Sequence, residues 1–527
     1  MKKSILPLII ASLILSSFVI AIPQNNLMEY VEKNMEEIII QFNHTPFVSI
    51  LPYKTKVMTF PFGTKIESIE VKVGDVKIKQ LGKKESNEAY PSDWITWHTG
   101  AGIQNGKHVV FLSIHAFPCR YIPASNKLLY TNEIKIKVKY EPPEKPLMQN
   151  DVYDLIIIAP SQYSDALQPL VSHKENHGIK TKLVTLNEIY GNYEGRDDAE
   201  KIKYFIKDAI ETWGIKYVLL VGDVEKLPAR KVTAHLPDEE IEFLTDLYYA
   251  DIYDTNGNFL TWDTNDDDIF GEFWYYPGSR EIDFVDIYPD VYVGRLACKD
   301  EDDVKTVAEK IINYEISEKP WFNKVILCGG DTFPDNPAVI DGEWVCDKVA
   351  SYMSNFTPIK LYASLKNLNP ININANLNEG AGFTLFSGHG LPYGWFTYAP
   401  GSKWKVHRYY SWYVPFLRND YKLPIIVFNA CLCAKLDYKF TCIAWWFVRK
   451  PNGGAIATIG ATELAFGSYD SGASYYTTCF FESYNESNTL GEMHVKAINK
   501  YMDTHWKDWF TLEEFILLGD PTLKIKS

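Results

Sequence analysis

Between residues 22 and 141 hydrophobic and polar positions alternate, as in Ser68-Ile-Glu-Val-Lys-Val73 and Glu133-Ile-Lys-Ile-Lys-Val-Lys-Tyr140. A period of two sends successive side chains to opposite faces, so these segments predict half-buried strands. Turn residues separate them, Asn105-Gly106 among them, and the whole stretch predicts an all-β domain of sandwich type. The run Glu141-Pro-Pro-Glu-Lys-Pro146 breaks the alternation and predicts a linker over 142–150. Beyond it the pattern changes. Short apolar runs such as Leu155-Ile-Ile-Ile-Ala159 and Tyr217-Val-Leu-Leu-Val221 alternate with amphipathic stretches such as Asp197 to Trp213. Apolar runs of this kind predict strands covered on both faces, and their alternation with helices predicts a parallel α/β sheet. Two α/β halves are expected, 151–320 and 321–527.

Three runs of the second half end in polar side chains. They are Lys324-Val-Ile-Leu-Cys-Gly-Gly-Asp331, Gly382-Phe-Thr-Leu-Phe-Ser-Gly-His-Gly390 and Leu423-Pro-Ile-Ile-Val-Phe-Asn-Ala-Cys431. In α/β sheets ligands bind beyond the carboxyl ends of the strands, so Asp331, His389 and Cys431 can meet in one crevice. A cysteine attacks only as thiolate, a minor species at neutral pH, and a neighbouring imidazole removes that deficit and later protonates a leaving amine. Asp331 would accept from the imidazole and hold it in place. Gly390 lacks a β-carbon, so its N–H can approach a developing oxyanion, with the N–H of Cys431 as second donor. The bland readings are an inert core cysteine and a turn or capping aspartate. Cys433 is a rival nucleophile in the loop two residues on. Ser387 as a serine nucleophile is disfavoured, because it precedes His389 on the same strand.

Charge and composition narrow the partners. The 527 residues carry a net charge of −14, which speaks against nucleic-acid binding. No phosphate-binding glycine fingerprint occurs, and the chemistry above requires no cofactor. Lys2 and Lys3 precede an apolar run from Ile5 to Ile20, which predicts a secretory leader over 1–21 in preference to a membrane anchor. No other hydrophobic span follows, so the expected location is extracellular or at the cell envelope. The eight cysteines are free to pair in such a compartment but show no regular framework. Asp263, Asn265 and Asp267 stand at alternate positions before Gly271-Glu272, the rhythm of a calcium loop, although Asp268 replaces the turn glycine and Trp274 stands where the last carboxylate belongs. A solvated acidic turn is the alternative.

The segments Asn429-Ala-Cys-Leu-Cys-Ala-Lys-Leu-Asp-Tyr438, Cys442-Ile-Ala-Trp-Trp-Phe-Val-Arg449 and Gly453-Gly-Ala-Ile-Ala-Thr-Ile-Gly-Ala-Thr462 resemble the gingipain family of cysteine peptidases. So do Thr245-Asp-Leu-Tyr-Tyr249, Val293-Gly-Arg-Leu296 and Leu517-Leu-Gly-Asp-Pro-Thr-Leu-Lys-Ile525. The resemblance implies a caspase-like fold, with His389 and Cys431 as the catalytic pair and Asp331 as the acidic residue beside them. It implies that 22–141 is a prodomain lying over the cleft until proteolysis, the alternative being a permanent β domain. It adds weight to a structural Ca2+ held by Asp263, Asn265, Asp267 and Glu272. It places Asp341, with Glu343 nearby, where arginine-cleaving members bind the guanidinium of the residue before the scissile bond. Phe466 stands where the family has a pocket-wall tryptophan, and Asp470 lies one residue from another pocket acid. Ser387 is carried as a further pocket residue.

The function so implied is a secreted cysteine endopeptidase acting on protein or peptide substrates through an acyl-enzyme and made as a proenzyme. A transpeptidase, in which an amine replaces water, is a close alternative. A non-catalytic envelope or adhesion protein on a peptidase scaffold is the competing class.

Overall fold

The computed structural model describes residues 30–32, 35–42, 53–82, 91–143, 151–275, 280–335, 339–467, 471–505 and 507–526. The expected leader over 1–21, most of the expected linker and Asp470 lie outside the described residues. The chain divides into two compact units, Met1–Leu147 with Tyr253–Asn258, and Met148–Ile252 with Phe259–Ser527.

Among the described residues the first unit is all-β. The strand Glu133–Glu141 lies between Met35–Gln41 and Lys65–Val73, antiparallel to both. A second sheet joins Lys54–Pro61, Lys107–Ala116 and Ile95–Gln104. The alternation explains the packing: Ile134, Ile136 and Val138 turn inward and are fully buried against Val110, Leu112 and Ile114 of the other sheet. The lysines between them face out. A smaller sheet of Lys77–Gln80, Lys127–Tyr130 and Cys119–Ile122 closes around Leu128 and Tyr121.

The second unit is built on one ten-stranded sheet. Its strands in chain order are β1 (Leu155–Ala159), β2 (Thr181–Thr185), β3 (Tyr217–Val221), β4 (Tyr292–Leu296), β5 (Lys324–Gly329), β6 (Thr357–Tyr362), β7 (Phe383–Ser387), β8 (Ile425–Asn429), β9 (Ala457–Ala461) and β10 (Phe515–Leu518). Across the sheet the order is β2-β1-β3-β4-β10-β9-β8-β7-β5-β6. The two expected α/β halves are therefore one continuous sheet. Every neighbouring pair is parallel except β9 and β10, which run antiparallel. This seam has a geometric consequence: the carboxyl ends of β5, β7 and β8 lie at one rim and those of β1, β3 and β4 at the opposite rim. Both faces of the central strands are covered, which is why β1, β7, β8 and β9 are buried at every position. Among the described residues no helix is long and apolar enough to cross a membrane.

Candidate active site

The rim formed by β5, β7 and β8 carries a cleft lined by Thr332, Phe333, Asp341, His389, Asn429, Cys431 and Phe466, with Ala473 and Ser474 closing it. In-register pairing makes this possible. Gly329 is opposite Ser387, and Ser387 is opposite Asn429, so the segments leaving the three strands emerge side by side.

His389 and Cys431 thus share one cleft. The imidazole Nε2 donates to the Thr332 carbonyl at 2.8 Å. A carbonyl can only accept, so this bond fixes the proton on Nε2 and leaves Nδ1 as the basic nitrogen. Phe396 stacks on the ring at 5.0 Å and Phe333 meets it edge-on at 5.5 Å. Burial among these rings lowers the imidazole pKa, and the Thr332 bond opposes that shift in part. The Cys431 thiol donates to the Ala465 carbonyl at 3.6 Å. Burial pushes its pKa up, against backbone hydrogen bonds with Ala465, Cys431 itself and Gly390. Both shifts favour the uncharged pair. Leu432, directly after the thiol, adopts the left-handed conformation with φ of +60°, a local strain that non-glycine residues rarely carry.

Gly390 explains how closely the two segments meet. A β-carbon there would lie 1.8 Å from the Cys431 carbonyl oxygen and 2.9 Å from its nitrogen. Only glycine lets the two backbones pass, and this passage sets the Gly390 and Cys431 backbones beside the thiol.

Asp331 does not take the role expected of it. Its carboxylate accepts from the Gly401 N–H at 2.8 Å, and its other oxygen has no hydrogen-bond partner among the described residues. Its backbone bridges to Tyr398 in both directions. That bridge turns the side chain toward 401 and presents the next residue's carbonyl to the imidazole, so Thr332 replaces Asp331 as the acceptor. Cys433 is completely buried, with its thiol directed at the Gly394 carbonyl at 3.8 Å, and desolvation raises its pKa far above the ordinary range. It has no access to the cleft.

Asp341 is the first residue of the helix Asp341–Tyr352 and reaches the cleft from the β5 side. One of its oxygens accepts from the Phe333 N–H at 3.1 Å. Burial, and secondarily the nearby Asp331, raise its pKa to about 6. Phe466 forms the opposite wall, stacked on Tyr275 and edge-on to Phe510. Glu343 turns away and binds Ser364 instead. Ser387 is fully buried and does not line the cleft; its hydroxyl accepts from Asn429 Nδ2 at 2.9 Å. Asn429 also donates to Ser474 Oγ at 3.1 Å. Sequence reasoning gave no role to Thr332, Asn429 or Ser474. A polar residue closing an apolar strand could have flagged Asn429, whereas a carbonyl partner leaves no trace in side-chain identity.

The four residues suggested as calcium ligands are engaged elsewhere. Asp263 pairs with Arg196 at 2.5 Å and accepts from the backbone N–H groups of Asp267 and Asp268. Asn265 donates to Asp267, whose other oxygen caps the turn at Ile269. Glu272 pairs with His235 at 2.5 Å. Among the described residues no group of three or more His, Cys, Asp or Glu is placed to hold a metal ion. The loop is held by these internal bonds, and the donor set does not fit a cation.

A thiol and an imidazole on neighbouring strand ends of an α/β sheet thus share one cleft with a buried carboxylate. The sequence profile of peptidase family C25 matches residues 149–526, and the chain belongs to that family. Gingipain R2 of Porphyromonas gingivalis is 23% identical over 400 residues, covering 72% of this chain and 47% of that protein. Gingipain R1 of the same organism is 23% identical over 409 residues, covering 74% of this chain and 36% of that protein. The chain thus spans about half the length, or less, of these curated relatives. Among solved structures, the complex of Porphyromonas gingivalis RgpB pro- and mature domains aligns with 71% of this chain and 81% of its own at a TM-score of 0.52 and 20% identity. The Arg-specific cysteine proteinase gingipain R aligns with 72% of this chain and 80% of its own at a TM-score of 0.51, also at 20% identity. At these identities the structural likeness is one of fold.

Proposed function

We propose that the chain is a cysteine endopeptidase that cleaves after basic residues. The observation that carries the reading is the single cleft shared by Cys431, His389 and Asp341. On this reading a substrate carbonyl enters beside Cys431, and the thiol leaves its resting bond to Ala465. Nδ1 of His389 takes the thiol proton while Sγ attacks the carbonyl carbon. The N–H groups of Gly390 and Cys431 receive the charge developing on the carbonyl oxygen. The imidazolium gives its proton to the departing amine, leaving a thioester, and water then releases the acid and restores the thiol. The Thr332 carbonyl holds the imidazole throughout and stabilises its charged form. Asp341 would pair with a guanidinium or ammonium of the residue before the bond, a charge-assisted contact in a partly desolvated pocket.

The relatives' names supply support for the substrate class: one matched structure is described as Arg-specific. Another pairs pro- and mature domains, which supports reading residues 22–141 as a prodomain and the full chain as a proenzyme. The leader pattern over 1–21 supports export.

The test is covalent labelling with acyloxymethyl ketones carrying lysine or arginine. Label is expected on the wild type and on Cys433→Ala and absent from Cys431→Ala. Label that persists in Cys431→Ala and disappears from Cys433→Ala would reverse the assignment, and no label on any form after removal of the N-terminal domain would sink it.

A further inference from the structure

Beyond Gly388 the chain forms a small antiparallel sheet of its own, His389–Leu391, Gly394–Tyr398 and Val406–Tyr410. Residues opposite one another across a ladder share a face, and so do next-but-one residues along a strand. The register aligns His389 with Phe396 and Arg408, and Leu391 with Gly394 and Tyr410. His389, Phe396, Tyr398 and Tyr410 therefore project from one face. The opposite face carries Trp395, Thr397 and Tyr409, all fully buried. The face presenting the imidazole is the open one.

That face is rich in aromatic rings, with Leu391 and the exposed Arg408 among them. Tyr410 lies across Gly394, where a β-carbon would come within 2.3 Å of its ring; glycine makes room for it. Tyr410 stacks on Trp412 at 4.2 Å with 27° between the planes, and Tyr393 lies nearly parallel to Trp412 at 6.4 Å. Trp412 is 53% exposed. Phe396, Tyr410, Trp412 and Tyr393 are all absent from the lining of the cleft around Asp341. The imidazole stands between two surfaces, with the cleft wall Phe333 at its edge and Phe396 on its plane.

We infer that this aromatic face binds the polypeptide on the leaving-amine side of the scissile bond, and that it selects extended segments bearing proline or aromatic side chains. The inference rests on the peptidase reading and adds a second specificity surface to it. The proton given to the departing amine comes from His389, so the chain that follows that amine begins at the imidazole. With the preceding residue in the cleft beside Asp341, the following ones run over the open sheet face. Rings held by mutual stacking offer flat apolar area with little side-chain entropy left to lose. Extended proline-bearing segments dock on such aromatic surfaces because both partners are already ordered.

The test compares two quenched peptides with the same arginine before the cleaved bond, one followed by a proline- and tyrosine-rich segment and the other by glycine and serine. Wild-type enzyme is expected to favour the first in kcat/KM, and Trp412→Ala to reduce that preference about fivefold to tenfold, the contribution of one well-packed aromatic contact. Phe416→Ala removes an exposed ring outside this face and should leave the preference unchanged. A parallel measurement needs no turnover: a fluorescein-labelled proline- and tyrosine-rich peptide is titrated onto the full chain carrying Cys431→Ala, with and without Trp412→Ala. Weaker binding by about fivefold or more in the double variant supports the surface. Cleavage with a preference untouched by Trp412→Ala overturns the surface alone. Trp412-dependent peptide binding without any cleavage by the wild type overturns the peptidase reading and retains a peptide surface. Trp412-dependent binding of a cello-oligosaccharide in place of the peptide overturns the polypeptide assignment.

Discussion

The two halves of the ten-stranded sheet use the same architecture and treat their polar groups differently. In the first half Arg295 and Lys174 show buried charges that are paired, whereas Lys203, also fully buried, has no hydrogen-bond partner among the described residues and lies over the rings of Tyr248 and Trp262. Arg295 of β4, fully buried, holds both oxygens of Asp246 at 2.6 and 2.7 Å and donates to the carbonyls of Gly222 and Leu227. Lys174, also fully buried, bridges Glu315 and Asp520. In the second half the groups at the rim are less committed: among the described residues Nδ1 of His389 and one oxygen of Asp331 have no hydrogen-bond partner, and the Cys431 thiol has a long contact to the Ala465 carbonyl beside weak backbone bonds with its own residue and Gly390. Buried polar groups are normally satisfied. Where a fold leaves several unsatisfied at one rim, it holds bonding capacity in reserve for something that arrives.

This contrast can be broken by substitution on either side. The largest effect is expected from Cys431→Ala, which should lower kcat/KM on an arginine substrate by about ten-thousandfold or more and leave the melting temperature nearly unchanged. Arg295→Met should do the reverse. It strands Asp246 in the interior and should cost about 3–5 kcal/mol of stability in denaturant titration, with activity lost only as folded protein is lost. Equal stability losses for the two variants would erase that distinction.

Next comes Asp341→Asn. Loss of the carboxylate should lower kcat/KM on arginine substrates by about thirtyfold to a hundredfold and leave a glutamine substrate nearly unaffected. The pH dependence follows from the raised pKa of about 6. The charged form pairs with a basic side chain, so selectivity for arginine over glutamine should be full well above pH 6 and decline as pH falls through it. The stability term has the opposite sign. A carboxyl whose pKa is raised on folding stabilises the fold below its unfolded pKa, and that contribution disappears as pH rises through the folded value. Asp341→Asn should therefore raise the melting temperature at neutral pH while it weakens catalysis, and a lower melting temperature would count against a destabilised pocket carboxylate.

Asp331→Asn discriminates more finely. Were Asp331 the orienting acid, its amide should cost about ten-thousandfold. With the Thr332 carbonyl in that role, the loss in kcat should stay within about tenfold. The smallest effect is expected from Cys433→Ala, which should change kcat/KM less than about twofold and cost roughly 1 kcal/mol through the cavity it leaves.

The sequence exposed the architecture wherever it was written in periodicity. Alternation at Ile134, Ile136 and Val138 marked a one-sided strand, and the apolar runs ending at His389 and Cys431 marked the rim. The union of the two α/β halves was not legible, because β10 pairs with β4 across more than two hundred residues and no local pattern reports such a distant partner. The imidazole's acceptor escaped for a related reason: every residue has a carbonyl, so the one at Thr332 cannot be distinguished by type. The acidic rhythm at Asp263, Asn265 and Asp267 misled in the other direction. Carboxylates at alternate positions suit a cation and equally suit turn caps and an arginine, and Arg196 lies far off in sequence.

The position of β10 also bears on how this chain comes to be folded. Residues 515–518 fill the middle of the sheet between β4 and β9, so neither flank has its central neighbour until they are synthesised. Long-range pairings form late. A ribosome-bound chain lacking these four residues would display two open sheet edges, and this polypeptide would depend on chaperones, or on speed of completion, until the wedge is in place.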